Sequence, residues 1–415
     1  MSGMDDIRME PSIGERIKRL RHDVAMTQDD LAAAAGVSTD LIRKLEQGRR
    51  HTASLVSLYR IARALGVDVG ELLGRVRAQH STDDGQALVL LIRDALTPID
   101  DLTGLIDDID VPTVAMLGRS VTYGWGAYWG GRYGLLAALL PDLLAQSRAV
   151  LRDCAPADRA RAIDLAAQIQ QLTAGTLLRL GAADLAHTAA RESLRLAAGG
   201  DDPLRDAAMR STLTYVLIRQ GRFLDAEQVA AAAAEEIQPA GNASTAQLSV
   251  YGGLLLRGAT AAARDGRAGA ATELLTEATA VAERTGVDRT DYEVVFGPSN
   301  VVMQTADVAV VTEDYAAAAD VARRMPRNSV LPLAAHSRHL ADVAHAQLRL
   351  GRDQAAELAL LTMAHSAPDW TAHHQLPRML LGELLTRGRP SSRLRELAQR
   401  LHVTPGITTV AHHDE

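Results

Sequence analysis

The chain has 415 residues, a net charge of −7, 23% charged and 3% aromatic residues, and one cysteine. This length exceeds one ordinary domain, and the lone Cys154 excludes an internal disulfide framework and fits a reducing cytoplasm. With no signal-peptide layout and no apolar run of roughly twenty residues, a cytoplasmic protein with no membrane partner is expected.

Residues 1–12 read as a flexible tail. From 13 to 74, five short amphipathic segments follow one another. Ile13, Ile17 and Leu20 recur at helical spacing. Thr27 precedes Gln28-Asp29-Asp30-Leu31, close to a capping box, Gly36 ends the second helix, and Ser38 caps the third. A helix, a tight Gly-containing turn and a second helix form the unit whose second helix enters the DNA major groove. In the third helix Ile42 and Leu45 point inward, with Leu41 at the margin. Thr39, Asp40, Arg43, Lys44 and Gln47 are left on the outer face, with side chains suited to base edges. Thr27, Gln28, Arg49 and Arg50 flank it and suit phosphates. From Ile13 to Arg63 there are ten Lys and Arg against six Asp and Glu, a net of +4 that leaves −11 for the rest. A basic head on an acidic body is the resulting picture.

The run carries TQDDLA, a G-V-S turn, IRKLEQGRR and SLYRIARALGVDVGELL, and it resembles the Cro/lambda-repressor-like (Xre-type) helix-turn-helix domain over about sixty residues. The resemblance implies that Gln28 contacts phosphate and that Thr39, Asp40, Arg43 and Lys44 face bases. A proline common in that family after the basic turn is absent, and His51-Thr52-Ala53 stands in its place.

Residues 75–85 (RVRAQHSTDDG) read as a polar linker. The body, 86–401, is expected to be all helix, opening with ALVLLIRDAL and a run of five aspartates from Asp100 to Asp110 that reads as a solvated acidic face. It is also repetitive. Gly181, Gly221, Gly266 and Gly351 end helical patterns, and each is followed five residues on by an alanine, Ala186, Ala226, Ala271 and Ala356. A fifth unit keeps Ala318 with Glu313 in the glycine position, and a sixth keeps Gly388 without the alanine. The spacing of 37 to 47 residues defines a helical solenoid built from helix pairs. It resembles tetratricopeptide repeats, with longer spacing and no repeat tryptophan; armadillo-like pairs are the structural rival. The fold class is therefore all-α: a five-helix lambda-repressor-like domain followed by a tetratricopeptide-like solenoid. Residues 402–415 read as a flexible tail.

No nucleophile elbow, phosphate loop or metal-ligand spacing occurs, so no enzyme, cofactor or metal is expected; His336, His339 and His345 read as surface or groove histidines. Of 13 aromatic residues, five fall within eleven positions: Tyr123, Trp125, Tyr128, Trp129 and Tyr133. Two readings stand for them. Interleaved glycines would admit a ligand, while rings at helical spacing would also fill a packing seam. Phe296 and Asn300, in YEVVFGPSNVV, are joined to the candidate pocket because Pro298 could start a helix whose free amides face a concave groove.

A DNA-binding head on a repeat body resembles quorum-sensing regulators that bind a signalling peptide in a tetratricopeptide superhelix. GRY…LPDLL, FGPSNV and LADVAHAQLRLGR resemble a large group of bacterial Xre-type regulators with a repeat body. The resemblance implies a homodimeric regulator that binds double-stranded promoter DNA and senses a peptide or small-molecule effector. The alternative is a protein-protein adaptor with a vestigial or accessory head.

Overall fold

The computed structural model describes residues 13–24, 26–49, 55–65, 67, 82–98, 111–198, 200, 202–387 and 390–403. The expected tail 1–12, the run from Asp100 to Asp110, Arg50, Gly388 and nearly all of the second tail lie outside them, as do residues 75–81 of the expected linker.

In the head, α1 (Ile13–Asp23), α2 (Gln28–Ala35), α3 (Thr39–Glu46) and α4 (Leu55–Ala64) enclose a core of Ile17, Leu31, Ile42, Leu45 and Ile61. The residues of the expected fifth helix lie outside the described ones. Local chemistry fixes the ends of α2. The Thr27 hydroxyl accepts from the Asp30 amide at 3.1 Å, and the Asp30 carboxylate accepts from the Thr27 amide at 2.9 Å. Gly36 closes the helix in the left-handed region at φ 62°. Ser38 Oγ accepts from the Leu41 amide at 3.2 Å and so starts α3. Gly14 lets α1 cross α3 closely, since a Cβ there would lie 1.8 Å from the Leu45 carbonyl oxygen.

The remainder is helical: α5 (Thr82–Leu96), α6 (Val114–Trp129), α7 (Tyr133–Asp153), a 3-10 turn at Pro156–Asp158, α8 (Arg159–Arg179), α9 (Ala183–Ala197), α10 (Pro203–Arg219), α11 (Phe223–Glu236), α12 (Thr245–Arg264) and α13 (Ala268–Thr285). A two-stranded hairpin, β1 (Arg289–Asp291) and β2 (Val294–Phe296), precedes α14 (Pro298–Val311), α15 (Tyr315–Ala322), α16 (Leu333–Arg349), α17 (Asp353–Ser366), α18 (Pro368–His373), α19 (Gln375–Thr386) and α20 (Ser392–Arg400). The chain divides into two compact units, 1–124 with 135–169, and 125–134 with 170–415. Helix α5 begins inside the segment read as linker. Helix α7 is, by length and composition, apolar enough to cross a membrane, unlike the expectation from the uninterrupted run; about half of it is buried.

The repeat turns share one backbone device. At Gly181, Gly221, Gly266, Glu313 and Gly351, φ lies between 61° and 82°. In each, the turn residue's amide donates to the carbonyl three residues back and the next amide to the carbonyl five back, as in Gly181 to Leu178 and Ala182 to Leu177. Ala186, Ala226, Ala271, Ala318 and Ala356 are all at most 2% exposed, where the second helix of each pair meets the first. A sixth such turn, at Gly131 between α6 and α7, has the same bonds and φ 72°, but Leu136 holds the position five residues on. A search for the alanine misses it.

The 47-residue gap from Gly266 to Glu313 is explained by the β-hairpin inserted between α13 and α14. Its register is Arg289 with Phe296, Thr290 with Val295 and Asp291 with Val294. Tyr292 and Glu293 turn it with φ 52° and 64°, a two-residue connection that normally uses Asn and Gly.

Glu313 pays a left-handed backbone cost that glycine would not. Glu313→Gly should raise stability by about 0.5–1 kcal/mol, the αL relief exceeding the extra unfolded-state entropy. The urea midpoint of the full chain checks this; a lower midpoint would show that the Glu313 side chain contributes more than its backbone costs.

Candidate functional site

Helix α3 is sharply two-faced. Leu41, Ile42 and Leu45 are buried, so Leu41 belongs to the core rather than to the margin. Asp40, Arg43, Lys44 and Gln47 are exposed and Thr39 is half-exposed. Asp40 and Lys44 form an exposed ion pair at 3.0 Å, which stabilises little and opens readily. Thr27 and Arg49 are exposed beside this face.

Gln28 has a second task. Its amide donates to Glu46 Oε2 at 2.8 Å, while Arg21 donates to both Glu46 oxygens at 2.7 and 2.9 Å and to the Met26 carbonyl. The Glu46 side chain is 2% exposed. Burial penalises its charge, but hydrogen bonds from Arg21 and Gln28, with the Arg21 and Lys18 charges, outweigh this and hold its pKa below the usual range. This clamp ties α1, α2 and the end of α3 together. Sequence reading missed it because Arg21 and Glu46 lie 25 residues apart and each looks like an ordinary surface charge.

In the second unit a cavity of about 830 Å³ is lined mainly by the first helices of successive pairs. Of the seven candidate pocket residues, Trp125, Tyr128, Trp129 and Asn300 line it. Trp125 and Trp129 stack at 6.3 Å, and Tyr128 meets both edge-on at 5.4 and 4.9 Å. Trp129 Nε1 donates to the Glu293 carboxylate at 2.8 Å, so the hairpin tip reaches the cavity wall.

Three of the seven do not line it. Tyr133 is fully buried, packing on Tyr128 at 5.8 Å and on His374 at 6.1 Å. Phe296 is fully buried against Gly252 of α12. Tyr123 is half-buried and belongs to the other unit. Pro298 does start α14, but the Ser299 amide is taken by Asp288 Oδ1 at 2.8 Å. The Ser299 amide is therefore not free to hold an anion. The aromatic run is thus divided between seam and cavity wall.

The charges on the cavity were not foreseen. Six arginines line it, Arg179, Arg219, Arg222, Arg257, Arg264 and Arg338, against three carboxylates, Asp184, Glu293 and Asp307. Arg264 and Arg338 share the buried Asp307, with Arg338 also bonded to Asp342 at 3.0 Å. Burial would raise Asp307, but Arg338 and Arg264 outweigh it and hold it low. Burial pushes Asp342 up to about 6 against the pull of Arg338.

Tyr215 stands between two further guanidiniums. Arg179 lies 5.4 Å from its ring and donates to its hydroxyl at 3.1 Å, and Arg257 lies 4.4 Å from the ring. Burial alone would raise the Tyr215 phenol, yet Arg179, Arg219, Arg257 and Arg338 bring it down to about 7. A weak sequence signal existed. Arg179, Arg219 and Arg264 each stand two residues before a turn glycine, in LRLG, IRQG and ARDG. The signal is weak because arginine is the chain's general basic residue, outnumbering Lys 42 to 2.

Among the described residues, no group of His, Cys, Asp and Glu is arranged to hold a metal ion. His339 is buried rather than on a surface, and burial lowers its pKa to about 4.

The head matches the model of a helix-turn-helix domain family over residues 12–74. It is 37% identical over 65 residues to the uncharacterized HTH-type transcriptional regulator y4dJ of Sinorhizobium fredii (strain NBRC 101917 / NGR234), covering 83% of that protein and 16% of this chain. The chain belongs to the HTH-type transcriptional regulators. The likeness is confined to the head. Among solved structures, PlcR of Bacillus thuringiensis in complex with the peptide PapR7 and DNA aligns over 67% of this chain and 96% of that one. With 14% identity and a TM-score of 0.34, that similarity is too distant to transfer a ligand.

Proposed function

We propose that this DNA-binding regulator is of the Xre type and reads promoter DNA through the outer face of α3. Thr39, Asp40, Arg43, Lys44 and Gln47 meet base edges, while Thr27, Gln28, Arg49 and Arg50 meet phosphates. The observation that carries this is the division of α3, three buried leucine and isoleucine side chains on one side and exposed Asp40, Arg43, Lys44 and Gln47 on the other. The domain limits are 13–74 for the head, 75–85 for the connection and 86–401 for a tetratricopeptide-like body. The body holds two chains together and senses a ligand in the cavity beside Trp125 and Trp129. A location in the cytoplasm follows from the DNA partner, and no catalytic role is assigned.

Selection of bound sequences from a random duplex pool should return an inverted repeat with half-site centres about 10 base pairs, or a multiple, apart. On that site Arg43→Ala and Lys44→Ala should each weaken binding by about 1–3 kcal/mol, with helical circular dichroism unchanged. Because the face is charged, binding should also fall with salt. Unchanged affinity in a folded double variant would overturn the assignment of α3.

A further inference from the structure

The cavity has a chemical preference that its aromatic wall does not suggest. Arg179 and Arg257 lie 5.4 and 4.4 Å from the same tyrosine ring, and each feels the other's like charge. Neither has a carboxylate within 4.0 Å among the described residues, whereas Arg264 and Arg338 of the same cavity are paired with Asp307 and, for Arg338, with Asp342 as well. Such a pair is unfavourable without an anion beside it, a role that the Tyr215 phenol, brought down to about 7, fills only in part, and guanidinium is the side chain best suited to a carboxylate or phosphate. The lining carries three more arginines than carboxylates, within a chain whose net charge is −7. Trp125 Nε1, Gln171 Oε1 and Arg179 Nε are buried on the lining residues without a hydrogen bond, an uncommon density of unsatisfied groups for a purely structural wall. The volume of about 830 Å³ falls within the range of small-molecule sites.

We propose that the cavity binds an organic anion, its carboxylate or phosphate held between Arg179 and Arg257 beside Tyr215 and its apolar part lying along Trp125 and Trp129. The inference rests on the reading of the cavity as the sensing site and names the ligand class. Asn300 and Gln304, on α14, also line the cavity, the Gln304 amide donating to the Thr260 hydroxyl at 2.9 Å. Two sources supply this chemistry: a free acid or phosphate ester, and the terminal carboxylate of a peptide.

The test uses the full chain and two dyes that differ only by an anionic group, 8-anilinonaphthalene-1-sulfonate and neutral N-phenyl-1-naphthylamine. Two of the three tryptophans line the cavity, so quenching of their emission reports binding there. The sulfonate should bind at least tenfold more tightly than the neutral dye, and Arg257→Gln should abolish that difference. Among the described residues Arg257 makes no ion pair, so a thermal melt of the variant should match the parent and exclude misfolding as the cause. Displacement of the sulfonate by hexanoate or inorganic phosphate would identify a free anion. Displacement by a pentapeptide with a free carboxylate, but not by its amide, would identify a peptide terminus. Equal binding of the two dyes, an undiminished preference in Arg257→Gln, or no displacement by any of these anions would overturn the proposal. The assay contains no DNA, so its failure leaves the DNA-binding reading standing. Anion binding that leaves operator affinity unchanged would remove the sensing role alone, since an effector acts only through differential affinity for two states.

Discussion

Phe296→Ala should destabilise the body by about 3–5 kcal/mol, as expected for emptying a fully buried aromatic site. The ring lies where α12 presents Gly252 and Gly253 in succession. A Cβ on Gly252 would fall 2.1 Å from Phe296 Cζ, and one on Gly253 would fall 2.2 Å from a Val294 methyl. The glycine pair is thus the bed on which β2 lies. Gly252→Ala should therefore be strongly destabilising by overpacking, although alanine is the better helix former. In the Phe296→Ala background the sign should reverse: the new methyl fills part of the space left, and Gly252→Ala should become neutral or stabilising by up to about 1 kcal/mol. Urea unfolding of the four chains in this cycle measures the coupling. Equal effects of Gly252→Ala in both backgrounds would show that the ring does not rest on α12. The hairpin seated there also carries Glu293 to Trp129, so the loosened variant should lose the cavity's closed wall before it loses its helices.

These residues also mark how much a chain of this kind discloses in its sequence. The turn glycines were legible because left-handed backbone is a local demand, met by glycine at four of the five described repeat turns in the expected series and by Glu313 at the fifth. The alanines were legible because close helix crossing demands a small side chain at a fixed distance. Where that position is held by a larger residue, Leu136, the turn at Gly131 carries no such mark. The hairpin escaped because its strands are three residues long, too short for alternation to register, and because Tyr292 and Glu293 are not turn residues by composition. Phe296 was assigned to the pocket from its neighbours Gly297 and Pro298; the strand instead turns its ring into α12. The cavity arginines were hidden for a different reason. Convergence of Arg179, Tyr215, Arg257 and Asp307 depends on how four helices stack, and no local pattern encodes that.

In the head, Arg21→Ala should cost about 3–5 kcal/mol at pH 7, the largest single effect expected there, because it leaves the Glu46 carboxylate buried and short of two of its three hydrogen bonds. The Glu46 side chain is 2% exposed, so water does not replace the guanidinium without opening the end of α3. The pH dependence gives the prediction a second edge. In the parent the folded-state pKa of Glu46 lies below its ordinary value of 4.5. Its contribution is complete above that value and is lost as pH falls through the lowered one. In Arg21→Ala the same carboxyl, now unpaired, should rise above its ordinary value, so protonation relieves the variant while it weakens the parent. The stability gap between the two should therefore narrow on acidification from pH 7 to pH 4. Hydrogen exchange of the Ile42 and Leu45 amides in the full chain reads this locally, since both belong to the helix that Glu46 ends. Unaltered protection at pH 7, or a gap that widens on acidification, would mean that the α1–α3 clamp does not hold the DNA-reading helix in place.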